Sequence, residues 1–234
     1  MDVQEFHYEC EGTEHHGRLV NPGGEGRPGV LVCHAWGGLD DFAVNVAKKY
    51  AAKGYVAMAV DMFGEGKTGN TVEEKSALIT PLVQDRGLLQ KRIVAAFDKV
   101  KTCPEVNGAK VAAVGFCFGG MTALDLARSG VDLRGVLAFH ALLDPSGLPP
   151  GKIKASILAL HGHDDPMVPP EKVLAFEKEM TEGGADWQLL AYGNTVHAFT
   201  NPEANDPKLG TIYNEQTAGR AWKVGDLFLE EIFA

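Results

Sequence analysis

Gly115-Phe116-Cys117-Phe118-Gly119-Gly120 is the stretch on which the reading of this chain turns. It follows Ala109–Val114, an Ala/Val-rich run that reads as a buried strand, and precedes Met121–Arg128, which reads as a helix. A reactive side chain with glycines two positions to either side, set between strand and helix, is the pattern of a nucleophile elbow. The turn there is so tight that only glycine keeps the backbone clear of the following helix, and the central residue is held in a strained conformation. Serine is the usual occupant; here it is Cys117. The helix after the turn aims its N-terminus at the sulfur, where unpaired N–H groups and the helix dipole favour a thiolate. The competing reading is a buried structural cysteine beside a Gly-rich turn, since free cysteine is among the most buried residue types.

Composition narrows the classes open to the chain. Its 234 residues suit one α/β domain spanning 1–234 with a substantial core. A hydrophobic content of 45% with 23% charged residues is ordinary for a globular protein and argues against disorder. The formal net charge is −9, with both signs interspersed, which excludes the basic face that a nucleic acid or an anionic membrane would select. Met1-Asp2-Val3-Gln4-Glu5 has no charged-then-apolar signal pattern and no apolar run reaches membrane-spanning length, so the expected compartment is the cytoplasm. In that setting Cys10, Cys33, Cys103 and Cys117, which show no C-x-x-C spacing, are expected as free thiols.

Along the chain, Glu5–Cys10 and His15–Val20 read as an N-terminal hairpin turning at Glu11-Gly12-Thr13. Gly29–His34 and Tyr55–Val60 are short apolar runs of buried-strand type, separated by a helix over Asp41–Lys53 that Gly54 stops. A longer helical region runs from Val72 to Lys101, with a break expected at Pro81. Beyond the elbow, Leu133–Phe139, Ser156–Leu160 and Trp187–Tyr192 read as strands, and Glu171–Met180 and Arg220–Phe233 as helices. Strands apolar on both faces, alternating with helices, imply a mostly parallel central sheet covered on both sides. Reactive groups in such sheets gather at the carboxyl ends of the strands. The expected class is an α/β fold of α/β-hydrolase type with an N-terminal β-hairpin.

A cysteine nucleophile needs a base and a group that orients the base, and this scaffold orders them nucleophile, acid, histidine. After the strand ending at Leu160 comes His161-Gly162-His163-Asp164-Asp165-Pro166-Met167-Val168-Pro169. Two aspartates compete there; Asp165 fits the H-G-x-x-D-x-x-V-P spacing and is taken as the acid. After the strand ending at Tyr192, His197 of Gly193-Asn194-Thr195-Val196-His197-Ala198-Phe199 is the expected base. His161, His163, Asp164 and Asp165 together also read as a metal cluster, but adjacent residues at a strand end point different ways and no further ligand spacing completes it. The expectation is no metal and no cofactor. His15-His16 is expected to be solvated on the hairpin, Cys10, Cys33 and Cys103 to be structural, and His140 has no assigned role.

Elbow, acid and histidine together resemble the dienelactone hydrolase family, a branch of the α/β-hydrolases with a cysteine nucleophile. The likeness runs from the hairpin to the closing helix and includes Phe199-Thr200-Asn201-Pro202, Tyr213-Asn214 and Ala221-Trp222. It implies Cys117 as nucleophile, His197 as base, Asp165 as orienter, and the backbone N–H groups of Ala35 and Phe118 as oxyanion hole. Two positions depart from the family pattern. Where the well-studied members carry a glutamate that modulates the thiol, this chain has His34. Near the position of their substrate-binding arginine stands Glu65, whose carboxylate would repel an anionic substrate.

The implied reaction is hydrolysis of an ester or lactone through a thioester. With a thiol pKa of roughly 8.5, a thiolate leaves a tetrahedral intermediate in preference to an ordinary alkoxide. Turnover therefore favours enol or aryl esters and enol lactones, and small molecules of that kind are the expected partners of a monomer. His34, Trp36 and Phe63 are expected at the substrate pocket, with Phe118 beside them. Two other readings stay open: a thiol-reactive or redox protein using Cys117 without acyl turnover, and a binding protein that keeps the fold without catalysis.

Overall fold

A computed structural model describes residues 2–149 and 151–234. The chain opens with β1 (Val3–Cys10) and β2 (Thr13–Val20), paired antiparallel from Val3↔Val20 to Cys10↔Thr13. It continues with β3 (Arg27–Cys33), α1 (Asp41–Ala52), β4 (Val56–Val60), α2 (Val72–Gln84), α3 (Arg86–Lys101) and β5 (Val106–Phe116). Then come α4 (Phe118–Arg128), β6 (Gly135–Phe139), β7 (Ser156–Gly162), α5 (Pro170–Glu182) and β8 (Trp187–Tyr192). A two-residue pair, β9 (Asn205–Asp206) and β10 (Thr211–Ile212), precedes α6 (Glu215–Phe233).

Eight strands form one sheet in the order β1-β2-β4-β3-β5-β6-β7-β8, parallel from β4 to β8 and antiparallel at the hairpin. Successive side chains on a strand point to opposite faces, and both faces are apolar here. Leu31, Met58, Ala113, Val136 and Ile157 pack on one side against Leu89, Ile93 and Phe97 of α3 and Leu124 of α4. Val30, Val32, Ala112, Val114 and Leu158 pack on the other against Tyr50 of α1 and Phe228 and Leu229 of α6. The sheet is thus covered on both sides, and α4, buried along its whole length, lies directly behind the elbow. Its polar residues are paired: Asp125 takes a bidentate Arg86 at 2.7 Å and a bond from Arg128 at 3.0 Å, and Arg128 reaches Glu179 on α5.

Three local expectations are corrected. The helical region does not break at Pro81, which lies inside α2; it breaks at Asp85. Proline removes one helical hydrogen bond without ending a helix so near its last turn. Asp85 instead leaves helical geometry (φ −113°, ψ 83°), and its carboxylate accepts the Leu88 N–H at 2.9 Å, capping α3. His15 is not solvated: it is fully buried, bonds the Asp61 carbonyl through Nδ1 at 2.7 Å and stacks on Tyr8. Period-two alternation puts His15 on the inward face of β2 and leaves only His16 outside. The closing helix also starts earlier than its apolar pattern, at Glu215, because Asn214 caps it.

Candidate active site

Cys117 lies between β5 and α4 with φ 56° and ψ −118°, a conformation unfavourable to a side chain by about 1–3 kcal/mol. Close backbone approach explains the glycines around it. A β-carbon on Gly115 would stand 2.0 Å from the Gly119 oxygen, and one on Gly119 would stand 2.1 Å from the Cys33 oxygen and 2.5 Å from that of His34. The elbow and the β3–α1 loop therefore touch through bare backbone. Cys117 N–H donates to the Phe139 carbonyl at 3.2 Å, and the Cys117 carbonyl accepts from Gly120, Met121 and Leu142. Among the described residues, neither the Phe118 nor the Ala35 N–H donates a hydrogen bond to another group.

Asp165 follows β7 and is buried; its Oδ1 accepts the Met167 N–H at 2.8 Å and its Oδ2 lies 2.6 Å from His197 Nδ1. Asp164 points elsewhere, accepting the Thr195 N–H at 3.1 Å and so tying down the loop that carries His197. His161 and Asp165 face inward while His163 and Asp164 are exposed. His197 is 2% exposed, and its backbone is pinned by bonds to Gly210 and Ile212. Its Nε2 is buried and meets no partner in hydrogen-bonding geometry. Burial disfavours the imidazolium, but the charge of Cys117 and the hydrogen bond to Asp165 outweigh it and raise the His197 pKa to about 10.

His34 is fully buried and both ring nitrogens are engaged: Nδ1 donates to the Ala35 carbonyl at 2.6 Å and Nε2 accepts the Met62 N–H at 3.2 Å. Burial lowers its pKa, which suits this neutral, loop-bracing tautomer. Phe63 stacks on Phe118 at 5.8 Å and meets the His34 ring edge-on at 4.8 Å. Trp36 is half-buried, with Lys75 Nζ 5.3 Å above its ring. Glu65 turns to solvent and pairs with Lys67 at 2.5 Å.

One residue without a role in the sequence packs against His197. His140, at the end of β6, is buried with φ 37°, lies edge-on to the His197 ring at 5.1 Å and bonds Thr200 through Nε2 at 2.8 Å. Burial, reinforced by the charge of His197, drives its pKa well below the ordinary value, so it packs as a neutral ring. A histidine ending the strand next to the elbow strand was the available signal; the Thr200 contact, 60 residues away, was not visible.

A mostly parallel sheet covered by helices on both sides, with Cys117 on a tight strand–helix turn, is the architecture of the α/β-hydrolase class. Residues 16–233 match the dienelactone hydrolase family, and the chain belongs to it. Among solved structures it is similar to a dienelactone hydrolase-like promiscuous phosphotriesterase from metagenomic libraries, at 35% identity and a TM-score of 0.93, covering 100% of this chain and 99% of that one. A dienelactone hydrolase from Anabaena variabilis shares the fold at 23% identity and a TM-score of 0.67, over 98% and 97% of the two chains. Protein usf of Aquifex pyrophilus is 28% identical over 97% of this chain and 98% of its own. Among the described residues no helix is long and apolar enough to cross a membrane.

Proposed function

We propose that this hydrolase, acting as one domain and one chain, cleaves activated carboxylic esters or lactones through Cys117, His197 and Asp165. The observation that carries the reading is the buried His197, bound to Asp165 on one side and electrostatically coupled to Cys117 on the other. Asp165 fixes the proton on Nδ1, so Nε2 is the atom that exchanges protons with the nucleophile. The Cys117 proton passes to Nε2 and the thiolate attacks the carbonyl carbon. The oxyanion is received by the N–H groups of Ala35 and Phe118, which no other group engages. Collapse expels the leaving alkoxide, which takes the Nε2 proton, and leaves a thioester on Cys117. His197 then draws a proton from water; hydroxide adds to the thioester, and the thiolate departs and frees the acid. Trp36, which is only half-buried, is the apolar side chain offered to the substrate; Phe63, Phe118 and His34, expected at the pocket from sequence, are buried and pack on one another beneath the surface.

Brief incubation with an aryl acetate, followed by peptide mass spectrometry beside a Cys117→Ala control, tests this. An acyl adduct on the Cys117 peptide that rises and decays is expected. A stable adduct points to thiol reactivity without turnover, and absence of an adduct on folded protein removes the nucleophile. The fully buried Cys33, whose thiol pKa burial raises, is a poor resolving partner for a redox role. The likeness to a promiscuous phosphotriesterase makes an aryl phosphotriester a second electrophile to offer the same thiolate, read out as an S-phosphoryl adduct with release of the phenolate. Light scattering that gives the mass of a single chain checks the monomer.

A further inference from the structure

The exposed face of the β1–β2 hairpin carries a separate cluster. Phe6, Tyr8 and Cys10 point inward from β1, leaving Glu5, His7 and Glu9 outside; on β2, Glu14, His16 and Arg18 lie on the outer face. His7 stands directly opposite His16. The His16 N–H donates to Asp61 Oδ2 at 3.0 Å rather than toward β1, so this is a non-hydrogen-bonded pair, the kind in which side chains lie closest. The two rings are 4.8 Å apart. Glu14, two residues from His16 on the same face, reaches both: Oε1 is 2.9 Å from His7 Nδ1 and Oε2 is 3.4 Å from His16 Nε2. On the far side of His7, Nε2 lies 3.3 Å from Glu5 Oε2.

Both nitrogens of His7 therefore face carboxylates. A neutral imidazole has one N–H, so with Nε2–H donated to Glu5 the Nδ1 lone pair confronts a Glu14 oxygen. That contact is favourable only with a cation between them, either a second proton or a metal ion. One donor atom from each of His7, Glu14 and His16 lies within 4.8 Å of the others. Zinc takes nitrogen and carboxylate oxygen at about 2.0–2.2 Å, so the donors must draw together around an ion, as the surface position of these side chains allows.

We propose that His7, His16 and Glu14 form a binding site for a divalent transition-metal ion such as Zn2+, with Glu5 as the outer carboxylate that orients His7. Two imidazoles and one carboxylate suit zinc and its neighbours rather than the all-oxygen preference of Mg2+ or Ca2+. A carboxylate behind a ligating histidine fixes its tautomer and raises its basicity, the position Glu5 holds. Three protein donors leave a fourth position to water. Because the ligands come from both strands, the ion clips the hairpin. Through the His16–Asp61 bond it also braces the loop after β4, where Asp61 receives the Phe63, Gly64 and Gly66 N–H groups.

The test is calorimetric titration of untagged protein with ZnCl2, and separately with MgCl2, in a Cys117→Ala background that removes the competing thiolate. The expected result is one Zn2+ per chain, no heat with Mg2+, and affinity lowered at least about 10-fold by His7→Gln or His16→Gln. The unfolding midpoint should rise with Zn2+ in the parent and not in either histidine variant. All three side chains are on the surface, so equal midpoints without metal certify the variants as folded. Unchanged zinc titration in both histidine variants, or no stoichiometric heat in the parent, overturns the site.

Discussion

Cys117 and His197 both sit on turns that follow strands of the same sheet, yet they are held by different means. Around Cys117 the contacts are backbone against backbone: Gly115 on Gly119, and Gly119 on Cys33 and His34. Around His197, backbone bonds to Gly210 and Ile212 and the close approach of Gly162 to Thr195 and Val196 are joined by side-chain hydrogen bonds and ring contacts from distant segments: Asp165, Asp164 through Thr195, and His140 through Thr200. The first region is rigid because nothing larger than hydrogen fits. The second is rigid because several separate bonds agree. A fault at the elbow should therefore appear as lost folding, and a fault at the histidine loop as lost rate.

The sharpest way to break this contrast is Gly119→Ala. Its β-carbon would collide with two carbonyl oxygens that belong to sheet and loop backbone, so destabilisation beyond about 4 kcal/mol is expected, read as insoluble protein or a collapsed denaturant midpoint. A normal midpoint would show the elbow to be softer than its geometry.

Asp165→Asn, on the other side of the comparison, should leave the fold intact while lowering kcat/KM by about 10²–10⁴, because the amide no longer holds Nδ1–H toward it. Steady-state kinetics with an aryl ester, beside a melting curve, measure both halves of that statement.

The His197 pKa, raised to about 10, carries a signed consequence. Its stabilising contribution is complete below the unfolded value of about 6.5 and fades as pH rises through the folded value. Between pH 6.5 and 10 the melting temperature of the wild type should fall more steeply than that of His197→Gln. Parallel curves would mean that the imidazolium is not bound as the geometry implies.

A smaller effect is expected from His140→Gln, which removes a ring contact and loosens the bond to Thr200. A kcat/KM loss of roughly 10-fold, equivalent to one hydrogen bond of about 1.4 kcal/mol, should come with little change in melting temperature. The smallest belongs to Gly193→Ala on the histidine loop, where a β-carbon meets nothing within 4 Å. Stability within about 0.5 kcal/mol of wild type is expected there, set against the collapse at Gly119.

The alternation of apolar strands with helices, the glycine spacing around Cys117 and the order of cysteine, aspartate and histidine were all legible in the chain. Each is a local signal: periodicity, a turn too tight for a β-carbon, a motif a few residues long. The break in the long helical region was misplaced because Pro81 is the louder punctuation, although Asp85 does the capping. What required the folded molecule is everything in which distant segments compete for one place. Asp164 and Asp165 are neighbours with the same chemistry, and only the meeting of the β7 and β8 ends sends one to the Thr195 backbone and the other to His197. His15 and His16 are likewise adjacent and identical, but the pleat buries one against Tyr8 and turns the other toward His7. His140 gains its place from Thr200 and His197, residues it reaches only through the sheet. Sequence determines which side chains stand at each strand end, because backbone geometry is short-ranged. The partner each one finds there is decided by packing, where burial leaves a polar group only the neighbours that the fold supplies.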